Sequence, residues 1–457
     1  MESIVNLKKE AKELLKLASP LVITQLAQVA IVVINTLMMG LLGTHALAAG
    51  GLALVLFAVL RSFGNGMTAA ISNLIAYEHG RNVSSEEIGN FAKAGFIITT
   101  VLGIVFYIMS FGVKPLLVWS GQDNSIISLT IDYLQVSLIG ILPCFWFLVL
   151  RNFTIGLRHS GKLMVFTLIS LVLNILCNFI LMFGYLGFPA LGLIGIAWAN
   201  NIVFLSSFIL FAVSIAKNSF YKKYNVFNII DVCSFTHIVK VFNAGLPIAI
   251  TYVAETGFFL VIALLMGHIS AVALAADAIV IQCVNVTYMI TIGISQAASM
   301  CIGHAYGAND YYAIRRYAYI ALGMGFVFMG TIGIIFWQFG PQIIFLFIRE
   351  NTPLNTRVYA LGVQLLLVAA VFQIFDGWQN IAGGILRGFK AMHMSMYISI
   401  LGYWVIGLPL AYFLGFHTQQ GAVGIWWGLA GGLAITAMLY IFYFEKIYRK
   451  HAAETVY

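Results

Sequence analysis

Long apolar stretches follow one another along nearly the whole chain, and no other feature limits its fold so strongly. Residues 17–40 contain no charged side chain, and runs of comparable length recur as far as residue 444. A helix needs about 20 mostly apolar residues to cross a bilayer. Twelve such segments can be read, at 17–40, 46–77, 92–114, 127–150, 163–185, 191–216, 241–267, 271–303, 316–340, 357–385, 394–416 and 421–444. Hydrocarbon offers no partner for a backbone N–H or C=O, so a spanning segment must satisfy them by itself, as a helix does. The composition agrees. Of the 457 residues 61% are hydrophobic and only 9% charged, whereas a soluble domain carries about 25% charged residues. The reading is an all-α membrane protein with twelve transmembrane helices and the lipid bilayer as its solvent.

The formal net charge of +8 does not point to nucleic acid, because the basic residues are scattered at the ends of apolar runs. Their distribution sets orientation instead, since cytoplasmic loops carry the excess of Lys and Arg. The N-terminal segment holds Lys8, Lys9, Lys12 and Lys16, and every second loop is also basic, with Arg81 and Lys93, Arg158 and Lys162, the lysines after residue 216, Arg315 and Arg316, then Arg387 and Lys390. Lys446, Arg449 and Lys450 follow the last span, while the opposite side has Lys114, Arg349 and Arg357. Both termini are therefore expected in the cytoplasm. No small-residue cleavage site follows the basic N-terminal segment, which reads as a helix leading into the first span rather than a signal peptide.

The two halves repeat. With Pro20 placed on Pro247, thirty residues align without a gap and eleven are identical, including "MG" and a terminal "ALAA". At the same offset of 227, Gly66, Ala70, Ser72 and Gly80 match Gly293, Ala297, Ser299 and Gly307. The expected organisation is an N-lobe at 1–216, a cytoplasmic linker at 217–240 and a C-lobe at 241–457. Six spans per repeat is even, so both lobes enter the membrane alike and their pseudo-twofold axis runs along the membrane normal. Transporters built in this way hold their substrate between the repeats.

Several motifs carry chemistry. "GLRHSGKL" approaches a phosphate-binding loop through Gly156, Gly161 and Lys162, but Leu163 stands where the magnesium-binding hydroxyl belongs. The stretch reads as a cytoplasmic turn, and transport then needs an ion gradient rather than ATP. No cofactor is expected. The five cysteines show no metal-ligand spacing, and no histidine pair suggests a metalloprotease. Ionisable groups within spans are the stronger signal, because a charge at the bilayer centre costs about 2.5–3.5 kcal/mol on insertion scales. Glu255 lies in the middle of the seventh span and Asp376 deep in the tenth, while Asp277 lies nearer the outer end of the eighth. Each carboxylate could simply pair with a neighbour. Glu255 and Asp376 together favour function, since no basic residue is expected at their depth and a sodium ion or a proton would supply the counter-charge. Burial disfavours the ionised form of a carboxyl group and a bound cation favours it. Protonation and ligand binding then compete at one place, as antiport requires. Arg61, mid-span in the second helix, has two readings: it faces a cavity or a carboxylate across a cleft, or its helix is long enough for it to meet water.

These residues resemble the multidrug and toxic compound extrusion (MATE) transporters, most closely their NorM-like bacterial branch. The carriers are "SPLVITQLAQ…NTLMMG", "GLP" at 245–247, "ALAADAIVIQ" with "GISQAASMCIGHAYGA", "FDGWQNIAGGILRGFK" and "PCFWFLVLRNFTIGLRHSG". The resemblance implies two six-helix lobes around a V-shaped cleft in the inner membrane of a bacterium, in a monomer. It implies export of lipophilic, often cationic drug-like molecules in exchange for sodium ions or protons, with consequent antibiotic resistance. In that family an acid on the seventh helix and one on the tenth form a cation site, matching Glu255 and Asp376 as ligands of a sodium ion; Asp277, where family members have His, joins them as a candidate for cation coupling. A polar lining of the substrate cleft would comprise Asn35, Asn174, Asn178, Asn200, Arg61 and Gln282. Family members commonly carry Asp where this chain has Asn35, so the cluster in the N-lobe is all amide, and ion coupling is expected in the C-lobe alone. Three rival readings stand beside this one: a flippase for lipid-linked precursors, a membrane-embedded enzyme, for which no clustered nucleophile or metal set is found, and a channel, although pores usually come from oligomers of shorter chains.

Overall fold

The computed structural model describes residues 2–119, 124–159, 161–228, 233–348 and 352–454. Among these every regular element is helical. The long helices are α1 (Glu2–Leu41), α2 (Thr44–Gly80), α3 (Ser85–Ser110), α4 (Asn124–Ile139 continued by Ile141–Gly156), α5 (Gly161–Phe183) and α6 (Gly192–Lys217). The second set is α7 (Phe235–Ile269), α8 (Ala271–Gly307), α9 (Tyr311–Phe347), α10 (Pro353–Gly388), α11 (Met392–Phe416) and α12 (Gly421–Glu454). Eleven of them are long and apolar enough to span a membrane singly, and the bent pair that makes α4 brings the number to twelve. Arg349 and Ser160, used in the loop and motif readings above, lie outside the described residues, as do 229–232 of the expected linker.

Helix starts follow the local sequence. Ser84, Ser270, Asp310 and Thr352 each accept a hydrogen bond from the backbone N–H three residues on, at 2.9–3.3 Å, which satisfies one of the free donors at a helix N-terminus. α4 bends by 45° at Gly140, a break the span pattern did not disclose. A broken helix frees a carbonyl, and within a membrane that carbonyl needs a protein partner. Asn201 of α6 provides it by donating to the Val136 oxygen at 2.7 Å. In α11 the turns at Leu401–Gly407 are π-helical. The linker is partly ordered: Tyr221 and Tyr224 are buried, and Tyr224 meets Phe153 of α4 edge to face at 5.6 Å.

The chain forms two compact units, which divide inside helices. One is Ile23–Ala249 and the other is Met1–Val22 with Ile250–Tyr457; we call them the N-terminal and C-terminal units. In the N-terminal unit Met39, Ala49, Tyr133, Phe145 and Ile196 form a buried core. The core of the C-terminal unit contains Met266, Ala276, Phe258, Phe372 and Trp426. Met39 and Ala49 correspond to Met266 and Ala276 at the offset of 227, and all four are fully buried. The repeat extends to helix crossings. A Cβ on Gly66 would lie 2.4 Å from Ala249 Cα, and one on Gly293 would lie 2.9 Å from Val22 N. Gly66 and Gly293 correspond, and so do Val22 and Ala249. Each unit therefore contains one such crossing, at the residue where its portion of α1 or α7 ends.

Candidate functional site

In the C-terminal unit α7, α8, α10 and α11 converge on the two mid-span acids. Tyr288 of α8 donates its hydroxyl hydrogen bond to Glu255 Oε1 at 2.5 Å. Asp376 of α10 is 2% exposed, and its charge and that of Glu255 act on one another. Gln373, Asp376, Asn380, Gly384 and Arg387 recur at intervals of three and four, which places them along one stripe of α10. That stripe packs on α8. Thr287 donates to Gln373 Oε1 at 3.2 Å, and Ser295 donates to the Asn380 carbonyl at 2.8 Å. The helices approach this closely because Gly384 has no side chain: a Cβ there would be 2.7 Å from the Ser295 carbonyl oxygen. Behind the acids Gln379 donates to the Tyr403 hydroxyl, Tyr403 stacks on Phe258 at 5.3 Å, and Trp404 donates to the Ala254 carbonyl at 3.1 Å. The π-helical turns of α11 thus supply two side chains that support the acidic site.

One expectation is corrected. Arg387 does not belong to a basic loop. α10 continues through it to Gly388, and Arg387 is only 8% exposed. Its guanidinium donates to Ser295 Oγ at 3.2 Å, lies 5.9 Å from the centre of the Tyr252 ring, and acts electrostatically on Glu255. Glu255 therefore has a basic neighbour. Two carboxylates and one guanidinium sum to one negative charge when all are ionised. Buried polar atoms without a protein partner sit on the same helix, namely Gln373 Nε2, Gln379 Oε1 and Asn380 Nδ2.

Asp277 is not part of this cluster. It is 2% exposed and accepts a hydrogen bond from Trp426 Nε1 at 2.9 Å. Along α8 it lies eleven residues from Tyr288, or about 16 Å at the rise of an α-helix. Gln282 is exposed.

The N-terminal unit holds the four asparagines together. Asn35 and Asn174 both donate to Asn200 Oδ1, at 3.0 and 2.9 Å. Asn178 donates to Asn35 Oδ1 at 2.8 Å and to Asn174 Oδ1 at 3.1 Å. All four are at most 9% exposed. An amide both donates and accepts, so α1, α5 and α6 are tied by neutral groups alone. Beside this cluster a cavity, open on one side, is lined by Arg61, Gln28, Tyr133, Phe57 and Phe204 among others. Arg61 Nη2 donates to Gln28 Oε1 at 3.4 Å.

Tyr288, Tyr403 and Arg387 were not singled out from sequence. A signal for Arg387 existed, since three helical turns separate it from Asp376 and put both on one face. The tyrosines had none, because 21 tyrosines are spread through the chain.

The MatE family profile matches the chain twice, at residues 20–180 and 247–413, and the two matches begin at the prolines that open the repeats. The chain is 36% identical over 430 residues to a probable multidrug resistance protein NorM of Pseudomonas aeruginosa, covering 94% of this chain and 88% of that protein. It is 33% identical over 442 residues to a protein of the same description from Synechocystis, covering 97% and 96%. Among solved structures, an outward-facing multidrug resistance MATE family transporter superposes with a TM-score of 0.89 at 19% identity, over 97% of each chain. A MOP superfamily transporter from Pyrococcus furiosus gives 0.89 at 18% identity, again over 97% of each; at such identities these two establish the fold. Twelve apolar helices, two matches to one family profile and relatives aligned over nearly their full length lead to one conclusion: this chain is a multi-pass membrane protein of the MATE family of transporters.

Proposed function

We propose that the chain is a secondary multidrug exporter whose coupling ion, sodium or a proton, is held in the C-terminal unit by Glu255 and Asp376. The observation that carries this reading is the charge balance of the acidic cluster. Glu255, Asp376 and Arg387 leave one uncompensated negative charge, and one sodium ion or one proton neutralises it. Neutralisation matters because an unpaired charge inside a membrane protein is costly. Tyr288 fixes Glu255 with its hydroxyl, and Gln379 Oε1 is an oxygen of the kind sodium prefers. The export of drug-like molecules is carried over from the relatives, which bear the description of probable multidrug resistance proteins. The reading places the protein as a monomer in the bacterial inner membrane with both termini cytoplasmic, as the Lys and Arg distribution supports. Asp277, bonded to Trp426, is assigned to structure.

Proteoliposomes with sodium and pH gradients imposed separately test the proposal, with efflux of a fluorescent lipophilic cation as readout. Asp376→Asn and Glu255→Gln should each abolish gradient-dependent efflux while inserting normally, and Asn35→Ala should retain it. Gradient-driven efflux by either acid variant at the wild-type rate would refute the assignment.

A further inference from the structure

The linker places a fixed cation at the edge of the N-terminal unit. Its short helix Ser219–Lys222 begins just after α6, where Asn218 accepts a hydrogen bond from the Phe220 N–H at 3.1 Å. Aromatic residues seat this turn on the spans. Tyr221 and Tyr224 are buried and meet the Phe153 ring of α4 at 6.0 and 5.6 Å. A Cβ on Gly89 of α3 would collide with the Tyr224 carbonyl oxygen, so the turn is wedged against two helices. Lys223 is held with it. Its ammonium lies 5.1 Å from the centre of the Phe220 ring and 5.0 Å from that of Tyr224. His159, at the turn between α4 and α5, stacks on Phe220 at 4.2 Å. The charges of Lys223, Arg158 and His159 all act on His79 at the end of α2, so three segments bring basic groups to one place. Arg81, Arg315, Arg316 and Arg449 each pair with a carboxylate. Lys223 has no such partner among the described residues, and it is exposed.

The level of this cluster selects its partner. α2, α4 and α6 end at Gly80, Gly156 and Lys217, and spans that alternate in direction bring those three ends to one side of the bilayer. Lys223 therefore sits where apolar helices leave the hydrocarbon, at the level of the lipid headgroups. Residues 217–240 hold four lysines and one carboxylate, and Phe227, four residues beyond Lys223, is 39% exposed, as aromatic side chains at a membrane interface are. We propose that Lys223 and the aromatic turn beneath it form a headgroup site for an anionic phospholipid, the phosphodiester lying against the ammonium. Basic residues at this level attract anionic headgroups, and an ammonium already held over two rings loses little freedom on binding. A zwitterionic lipid carries its own cation beside the phosphate and gains less. The site would draw on the cytoplasmic leaflet, which rests on the orientation proposed above; the binding itself does not.

Native mass spectrometry of the purified full chain in detergent tests the site. The probe is dioleoyl phosphatidylglycerol, dioleoyl phosphatidylcholine is the zwitterionic reference with the same chains, and inorganic phosphate is a soluble competitor. The first phosphatidylglycerol should bind more tightly than phosphatidylcholine by about fivefold or more, the effect of one lysine near an anionic surface. Lys223→Gln should weaken phosphatidylglycerol binding about fivefold, and Lys223→Arg, which keeps the charge, should retain it. Lys450→Gln removes the same charge from an exposed position of the C-terminal unit and should bind like the wild type. Equal affinity for the two lipids would overturn the proposal, as would an unchanged affinity in Lys223→Gln. An equal loss in Lys223→Gln and Lys450→Gln would overturn it in favour of net charge alone, and displacement of the lipid by inorganic phosphate in favour of a soluble anion. No gradient is imposed, so a failure of ion coupling at Glu255 and Asp376 leaves this result standing.

Discussion

A methyl group added at Gly66 is a sharp test of how α2 is packed. The Cβ of Gly66→Ala would fall 2.4 Å from Ala249 Cα and 2.6 Å from Ala249 N. Both are backbone atoms of α7, so no rotamer change relieves the contact and the helices must separate by about 1 Å to reach ordinary van der Waals distance. Overpacking of this kind costs about 1–3 kcal/mol. Helix propensity works the other way, since Ala is favoured over Gly by about 1 kcal/mol. Gly330 in α9 isolates that opposing term, because a Cβ there meets nothing within 4 Å. The difference between Gly66→Ala and Gly330→Ala should therefore be about 1–3 kcal/mol of destabilisation. Gly293→Ala should fall between them, because its tightest contact is the Val22 side chain at 2.5 Å and the nearest backbone atom is at 2.9 Å. Thermal unfolding of the three variants in one detergent, followed by intrinsic fluorescence, orders them. If Gly66→Ala melts at or above Gly330→Ala, the close crossing of α2 and α7 is not present in the folded protein.

Other perturbations separate structure from transport. Asn201→Ala should cost about 0.6 kcal/mol and at most about 1.7, the average and maximum measured for side-chain hydrogen bonds between membrane helices, because the Val136 carbonyl loses its donor; an unchanged melting temperature would count against that role at the α4 bend. Asn200→Ala removes the acceptor shared by Asn35 and Asn174, so the loss in the same assay should exceed that of Asn201→Ala. Asp277→Asn keeps an oxygen for Trp426 and should leave gradient-driven efflux near the wild-type rate; abolished efflux would return Asp277 to the coupling machinery.

Much of the architecture was legible because hydrocarbon is an exacting solvent. It demands apolar runs of one length, and it makes a carboxylate such as Asp376 stand out from its neighbours. The repeat was legible too, through Gly66 and Gly293, whose equivalence in sequence reappears as equivalent crossings. What escaped reading depended on how helices are rotated about their axes. Tyr288 reaches Glu255 only because α8 turns that face to α7, and an apolar run does not report rotation. Arg387 was taken for a loop residue because positive charge near a helix end ordinarily marks the cytoplasmic side. The shallower position of Asp277 was legible, but its bond from Trp426, 149 residues away, was not. The bend at Gly140 was hidden since both arms are apolar and together have the length of one span.

The position of the first 22 residues has a consequence for biosynthesis. They pack with Ile250–Tyr457 rather than with the segment that follows them, and Glu10 pairs with Arg316 at 2.8 Å while Tyr317 donates to Glu13 at 2.6 Å. A ribosome makes the chain from this end. The start of α1 therefore emerges before any of its partners exist, and waits while about 300 further residues are made, on the order of 15–60 s at 5–20 residues per second. During that interval Glu10 and Glu13 must stay in water at the membrane surface, where a carboxylate is well solvated. The charged residues of the opening helix, Lys8, Lys9, Lys12 and Lys16 with Glu10 and Glu13, keep it parked there, and the last third of the chain calls it in.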